Sequence, residues 1–257
     1  MVVVVIGNFA SGADISRDVA KVAKEVHIAS RGSEASTYEK LSVPTNNLWI
    51  HSEIETACDD GSIFFKNGKA VHADTVVYCT GYKYKFPFLE TNGYMSIDDN
   101  RVEPLYKHVF PPALAPGLSF VGLPGMGIQF VMFEIQSKWV AAILSGRVTL
   151  PAPEKMMEDL IASYAMLEAL GIPKRHTHKL GKIQSKYLDW VAEECGCQLV
   201  EPWRTQQVDR GYGRLVSNPE NYRDEWDDDD LIKEAYEDFA SKKLISFLPS
   251  YFPESGR

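Results

Sequence analysis

The chain opens on an uninterrupted apolar run, Val2–Ile6, all of it β-branched. Such a run predicts a strand buried on both faces, as in a parallel sheet with helices on each side. Gly7-Asn8-Phe9-Ala10-Ser11-Gly12 ends it, and the period then changes. Ile15, Val19, Val22 and Val26 recur at spacings of four, three and four, which predicts a helix with those residues on one face. Val26–Ala29 reads as a second strand and Asn47–His51 as a third. Glu53–Ala57 and Ser62–Phe65, joined across Asp59-Asp60-Gly61, predict a β-hairpin. Asp74–Cys79 predicts another buried strand, running into Thr80-Gly81-Tyr82.

A proline-marked irregular stretch follows, with Pro87, Pro104, Pro111, Pro112 and Pro116. Leu118–Val121 predicts one more short strand, ending in Gly122-Leu123-Pro124-Gly125-Met126-Gly127, and a helix is expected over Gln129–Ser145. Beyond Pro151 the pattern is helical, over Glu154–Leu170, Ile183–Glu194, Trp203–Val208 and Asp228–Lys243. The acidic run Asp227–Asp230 lacks the alternating ligands and glycine of a calcium loop. It is expected to cap the last helix, because carboxylates interact well with a helix N-terminus.

Composition narrows the function classes. With 257 residues, 45% hydrophobic and 24% charged, the chain is long and apolar enough to fold. A net charge of −8 argues against a nucleic-acid partner, which asks for a basic face. Cys195-Gly196-Cys197 is too tight for a strain-free disulfide, and no second Cys/His pair accompanies it at zinc spacing. No metal site and a reducing, cytoplasmic setting are therefore expected. The longest apolar run is too short to span a bilayer, so no membrane partner is expected either.

The opening carries the most specific chemistry. Strand, glycine turn, helix and strand within thirty residues form the first half of a Rossmann-like unit. Gly7 permits the bend, Gly12 permits close helix–strand packing, and the helix N-terminus offers N–H groups to a pyrophosphate. Phe9 stands where the second glycine of the usual motif would be. The turn thus reads either as a nucleotide site or as a structural strand–helix connection. Ala29-Ser30-Arg31 follows the second strand, with Arg31 nineteen residues after Gly12. A guanidinium there suits a ribose 2′-phosphate and favours NADP(H) over NAD(H), although a solvated loop arginine would read the same way. None of the twelve tyrosines has a lysine four positions later, which excludes the Tyr-x-x-x-Lys dehydrogenase pattern.

Three segments, VVVVIGNFASGADISRD, VVYCTGYKYKFPF and GLPGMGIQFVMFEIQSKW, resemble plant flavin-containing monooxygenases in their order and separation. The likeness is nearest to the glucosinolate S-oxygenating branch. It continues through GIPKRHTHKLG, CGC and YRDEWDDDD, and so covers essentially the whole chain. In that family the turn carries Phe, so Phe9 becomes a lineage feature.

The resemblance implies an α/β fold: a Rossmann-like NADP(H)-binding unit over 1–80, the C-terminal part of a second, FAD-type dinucleotide-binding domain over 81–150, and a helical C-terminal extension over 151–257. It implies a reaction in which NADPH reduces FAD and one oxygen atom of O2 passes to a small-molecule thioether or amine. No protein nucleophile is needed. Gly7, Asn8, Ser11 and Gly12 would hold the NADPH pyrophosphate, with Ser30 and Arg31 at the 2′-phosphate. Thr80 and Gly81 would form the junction between the two cofactor domains, with Gly125 and Gly127 on a loop near the flavin ring. Gln136 and Trp139 match the family pattern but equally fit packing; Tyr82 fits either the cofactor crevice or the junction. The family's first, FAD-binding glycine turn has no counterpart here. The chain is accordingly expected to correspond to the C-terminal portion of such an oxygenase, to bind FAD poorly alone and to need the N-terminal half for turnover. The alternative is an NADP(H)-binding fragment without catalysis.

Overall fold

The computed structural model describes residues 1–241. They divide into two units, Met1–Lys83 and a second from Tyr84 onward. In the first, β1 (Val2–Ile6) pairs in parallel with β2 (Glu25–Ala29) on one side and β8 (Thr75–Tyr78) on the other. Beyond β2 lie β4 (Leu48–His51), parallel, and β3 (Tyr38–Lys40), antiparallel, giving the order β3-β4-β2-β1-β8. Val3, Val4 and Val5 are completely buried, as the unbroken apolar run implies. Val3 and Val5 pack with Ala20, Ala23, Val26, Ile28 and Leu48.

The other face is covered differently from the expectation of a second helical layer. Val4 packs with Ala29, Ile63 and Phe65, the last two from a three-stranded antiparallel sheet of β5 (Ile54–Ala57), β6 (Ser62–Phe65) and β7 (Ala70–His72). The predicted hairpin is therefore present around Gly61, but it serves as a lid on the parallel sheet. A second turn, at Asn67-Gly68, adds β7; Gly68 has φ +78°. Asn-Gly is the strongest short hairpin signal and marks this strand in the sequence.

Two more expectations fail, one for a steric reason and one for a topological reason. Helix α1 (Ala10–Ala20) buries Gly12, Ser16 and Ala20, whereas Ile15 is exposed and Val22, beyond the helix, is 82% exposed. A helix held this close to a sheet must turn small residues inward, so the larger aliphatics are displaced outward. β8 is not buried either. It occupies the end of the sheet, and Tyr78 is 75% exposed.

In the second unit, β9 (Ser96–Asp98) and β10 (Arg101–Glu103) form a hairpin around Asp99 and Asn100, both at positive φ, which suits their residue types. Leu118–Val121 forms no strand. It has no ladder partner among the described residues: Leu118 N–H donates to the Leu114 carbonyl at 3.0 Å and Phe120 N–H to the Val109 carbonyl at 2.8 Å. The helices are α2 (Gln129–Leu144), α3 (Pro153–Ala169), α4 (Gln184–Glu194), α5 (Pro202–Ser217) and α6 (Asp229–Ser241). Trp139 is core: it is 1% exposed and meets Phe110 edge-on at 4.9 Å and Trp190 at 5.4 Å. α5 continues nine residues past its predicted end, through Gly211 and Gly213.

The acidic run opens α6 as expected, with Asp229 and Asp230 in its first turn and backbone N–H groups donating to Asp230, and it pairs with arginines as well. Asp228 is buried against Arg214 at 2.8 Å, and Asp230 receives both Arg210 nitrogens at 2.6 Å. The predicted end of the last helix, Lys242 and Lys243, lies outside the described residues. No helix among the described residues is long and apolar enough to cross a membrane.

Each unit contains a histidine pair, both members buried in the first and His178 buried against a half-buried His108 in the second. Asn67 donates to His51 Nδ1, so His51 Nε2 carries the proton it shares with His27 Nδ1 at 2.9 Å. Val102 N–H donates to His178 Nε2, which makes His178 Nδ1 the donor to His108 Nδ1, also at 2.9 Å. Burial is the largest cause holding these imidazoles neutral, lowering His51 and His178 to about 4 and His108 to about 3, with His27 also lowered. The unfolded chain takes up protons below about 6.5 and the folded one does not, so stability is complete above that pH and falls toward pH 4. The thermal midpoint should drop between pH 6.5 and 5, before most carboxylates titrate. A flat midpoint across that window would contradict neutral pairs.

Candidate functional site

The carboxyl ends of β1, β2 and β8 converge on the glycine turn, where open α/β sheets hold ligands. Gly7 sits at φ +108°, and its N–H donates to the Ala29 carbonyl at 2.9 Å. A Cβ on Gly7 would lie 2.4 Å from the Cys79 carbonyl oxygen. A Cβ on Gly12 would lie 1.8 Å from the Gly7 carbonyl oxygen. Backbone therefore touches backbone at both positions, and no side chain fits either.

Phe9 has no such restriction. Its backbone is extended (φ −110°, ψ −169°), and its ring is 66% exposed. It occupies the N-cap position of α1 and makes no side-chain cap hydrogen bond. A phenyl ring has no acceptor to offer, so the positive end of the helix is left for an external anion. The first turn holds no acidic residue that would compete. Asn8 and Ser11 are exposed on this turn.

Ser30 and Arg31 stand at the end of the adjacent strand. Ser30 N–H donates to the His51 carbonyl at 3.1 Å, and its own carbonyl accepts from Ser33 at 3.3 Å. This small turn leaves Arg31 exposed. Thr80 and Gly81 follow β8 and are also exposed, Gly81 with φ +81°. Eight of the ten residues expected at cofactors thus belong to the first unit.

Gly125 and Gly127 belong to the second. Gly125 N–H donates to the His178 carbonyl at 2.8 Å, and Leu180 N–H donates to the Gly125 carbonyl at 3.0 Å. Gly127 faces Gln184, whose Oε1 would lie 3.3 Å from a Cβ there. The glycine that sterics demand in this loop is Gly122, at φ +79°, where a Cβ would enter the Phe133 ring at 2.4 Å.

Behind the loop runs a buried polar chain. Gly122 N–H donates to Gln136 Oε1 at 2.7 Å, Gln136 Nε2 to the Tyr187 hydroxyl at 2.6 Å, and that hydroxyl to the Lys107 carbonyl at 2.9 Å. Ile128 N–H donates to Gln184 Oε1 at 2.8 Å. Burial pushes the Tyr187 phenol up, so it remains a neutral donor. Tyr187, Gln184 and His178 carry no local signal that ties them to this loop, because the contacts come from fifty or more residues away.

A family model described as flavin-binding monooxygenase-like matches residues 40–202. Flavin-containing monooxygenase FMO GS-OX2 of Arabidopsis thaliana is 80% identical over 250 residues, which cover 97% of this chain and 55% of that protein. FMO GS-OX3 of the same plant is 76% identical over 256 residues, covering all of this chain and 55% of that protein. Among solved structures, S-allyl-L-cysteine S-oxygenase from Allium sativum superposes with a TM-score of 0.86 at 52% identity, over 93% of this chain and 54% of that one. Tmm from Pelagibacter sp. shares the fold at 22% identity, with a TM-score of 0.69 over 87% of this chain and 49% of that one. The chain spans about half the length of the curated relatives it matches.

The two glycine-rich loops should respond differently to a methyl group. Gly12→Ala gains about 1 kcal/mol of helix propensity but forces backbone apart, and should lose about 2 kcal/mol or more net. Gly125→Ala meets nothing within 4 Å and should stay within about 0.5 kcal/mol of the parent. Urea unfolding of both variants checks the contrast; equal losses would refute the steric assignment.

Proposed function

The chain belongs to the flavin-binding monooxygenase-like family, and from that premise we propose that it carries the NADP(H)-binding unit of a flavin-dependent oxygenase acting on small thioethers. What supports this most is one arrangement. An uncapped helix N-terminus stands behind two sterically obligate glycines, with an exposed arginine at the end of the neighbouring strand. An acid at that strand end would repel a 2′-phosphate; Arg31 attracts it.

The chain's own residues have distinct tasks in this reading. The first-turn N–H groups of α1, with Asn8 and Ser11, bind the pyrophosphate. Gly7 and Gly12 keep that cradle open by excluding side chains. Ser30 and Arg31 hold the 2′-phosphate. Thr80 and Gly81 carry the chain away from the site without obstructing it. In the second unit, Gly125 and Gly127 would border the flavin, on a loop braced from behind by Gln136, Tyr187 and Gln184. When bound, NADPH and FAD supply the reducing equivalents and the oxygen activation, and one atom of O2 goes to the substrate.

The substrate class follows the relatives. Two of them are named GS-OX enzymes and one an S-allyl-cysteine S-oxygenase. A thioether, such as a glucosinolate side chain, is thus favoured over an amine. The four free cysteines support a reducing, cytoplasmic setting. NADP(H) binding is proposed for this length of chain, and S-oxygenation for the protein to which these residues belong.

Titration separates the nicotinamides. The chain should bind NADPH at least about tenfold more tightly than NADH, and Arg31→Ala should remove most of that preference. Equal affinity for the two carriers in the parent chain would refute the assignment.

A further inference from the structure

Glu53 presents a problem for a 2′-phosphate site. β2 and β4 are parallel, with Ala29 opposite His51, and Ser30 N–H donates to the His51 carbonyl. The segment leaving β4, Ser52-Glu53, therefore runs beside Ser30-Arg31. Glu53 lies close enough for Arg31 to contribute to holding its carboxyl low. A carboxylate in this position would either occupy the guanidinium or repel an incoming phosphate. In either case it would favour the unphosphorylated carrier.

The fold answers with a lysine. Lys66, on the turn after β6, is fixed to Glu53 twice: its backbone N–H donates to the Glu53 carbonyl at 2.9 Å, and its Nζ donates to Glu53 Oε2 at 2.6 Å. The turn that carries it is anchored, since Asn67 Nδ2 donates to the Thr37 carbonyl at 2.6 Å. Lys66 is the largest cause of the lowered Glu53 carboxyl, ahead of Arg31.

We propose that Lys66 sets the preference for the phosphorylated nicotinamide by holding the Glu53 carboxylate away from Arg31, which frees the guanidinium for the 2′-phosphate. This rests on the NADP(H) reading above and adds a specificity device to it. Glu53 and Lys66 come from the lid sheet and its approach, outside the strand–turn–helix motif that forms the pyrophosphate cradle. The pair is about half exposed, so its influence should be modest and should fade with added salt.

The test uses 2′,5′-ADP and 5′-AMP as probes, titrated calorimetrically into the 257-residue chain at low ionic strength. Lys66→Met should weaken 2′,5′-ADP about two- to fivefold and leave 5′-AMP unchanged. Glu53→Gln should tighten 2′,5′-ADP by a similar factor, a gain that misfolding cannot produce. The double variant should bind at least as tightly as the parent. A double variant as weak as Lys66→Met would overturn the proposal and make Lys66 a direct phosphate ligand. Unchanged affinity in Lys66→Met would overturn it too. Were the parent chain to bind both probes equally, the NADP(H) reading itself would fall, a result distinct from either of these.

Discussion

At the glycine turn of the first unit main chain lies directly against main chain: Gly12 against the Gly7 carbonyl, and Gly7 against the Cys79 carbonyl. Everything at the carboxyl end of the sheet follows from that contact. It brings the end of β1, the start of α1 and the end of β8 within one atom's thickness of each other. It also dictates the inner face of α1, where Ser16 and Ala20 continue the small-residue row that Gly12 begins. The same closeness brings the helix axis near the strand ends, so its positive terminus opens toward the place where a phosphate would sit. A larger residue at either glycine would lift the helix and close the cradle together, so stability and binding share one steric origin.

Electrostatics here are local, not global. A chain with net charge −8 repels a dinucleotide phosphate at long range, but at physiological salt that repulsion is screened beyond about 8 Å. Inside that radius the balance reverses. The helix terminus is uncapped, its first turn carries no acid, and Arg31 is exposed. A carboxylate beside Arg31 that works against this, Glu53, is held by Lys66. An acidic composition is therefore compatible with a site for a small anion.

The sequence made the strand–turn–helix opening legible because every residue that matters there is a neighbour of the next. Val2–Ile6 announces a doubly buried strand and Gly7–Gly12 its turn, and Arg31 follows at the end of the following strand. Periodicity misled at α1, since Ile15 and Val22 fit an apolar stripe, yet contact distance, not hydrophobicity, chooses the inner face. It misled at Asp74–Cys79 and Leu118–Val121 for another reason. An apolar run signals burial, but a strand is buried only if neighbours exist on both sides, and neighbours are a property of topology. Trp139 matches both the family pattern and a packing role by spacing alone; its T-shaped contacts with Phe110 and Trp190 place it in the core. Lys66–Glu53 and Gln136–Tyr187 lay beyond reach for the same reason, because side chains distant in the chain meet only once the fold exists.

The second unit shows why helices beyond residue 150 matter to a loop before residue 128. The Gly122–Gly127 segment has almost no regular structure of its own; its Gly125 N–H and carbonyl and its Met126 carbonyl are satisfied from the turn preceding α4, and the adjoining Ile128 N–H from Gln184 of α4. Gln136 alone could hold Gly122, but a buried amide must spend its other end somewhere. Tyr187 of α4 accepts that proton and passes its own to the Lys107 carbonyl. His178 and Leu180 clamp Gly125 from the same side. Removing α4 would leave a buried glutamine half-satisfied and the loop without its brace, a larger loss than either hydrogen bond alone. The helical extension is thus part of the loop's architecture, and whatever the loop borders is positioned by residues more than fifty positions downstream.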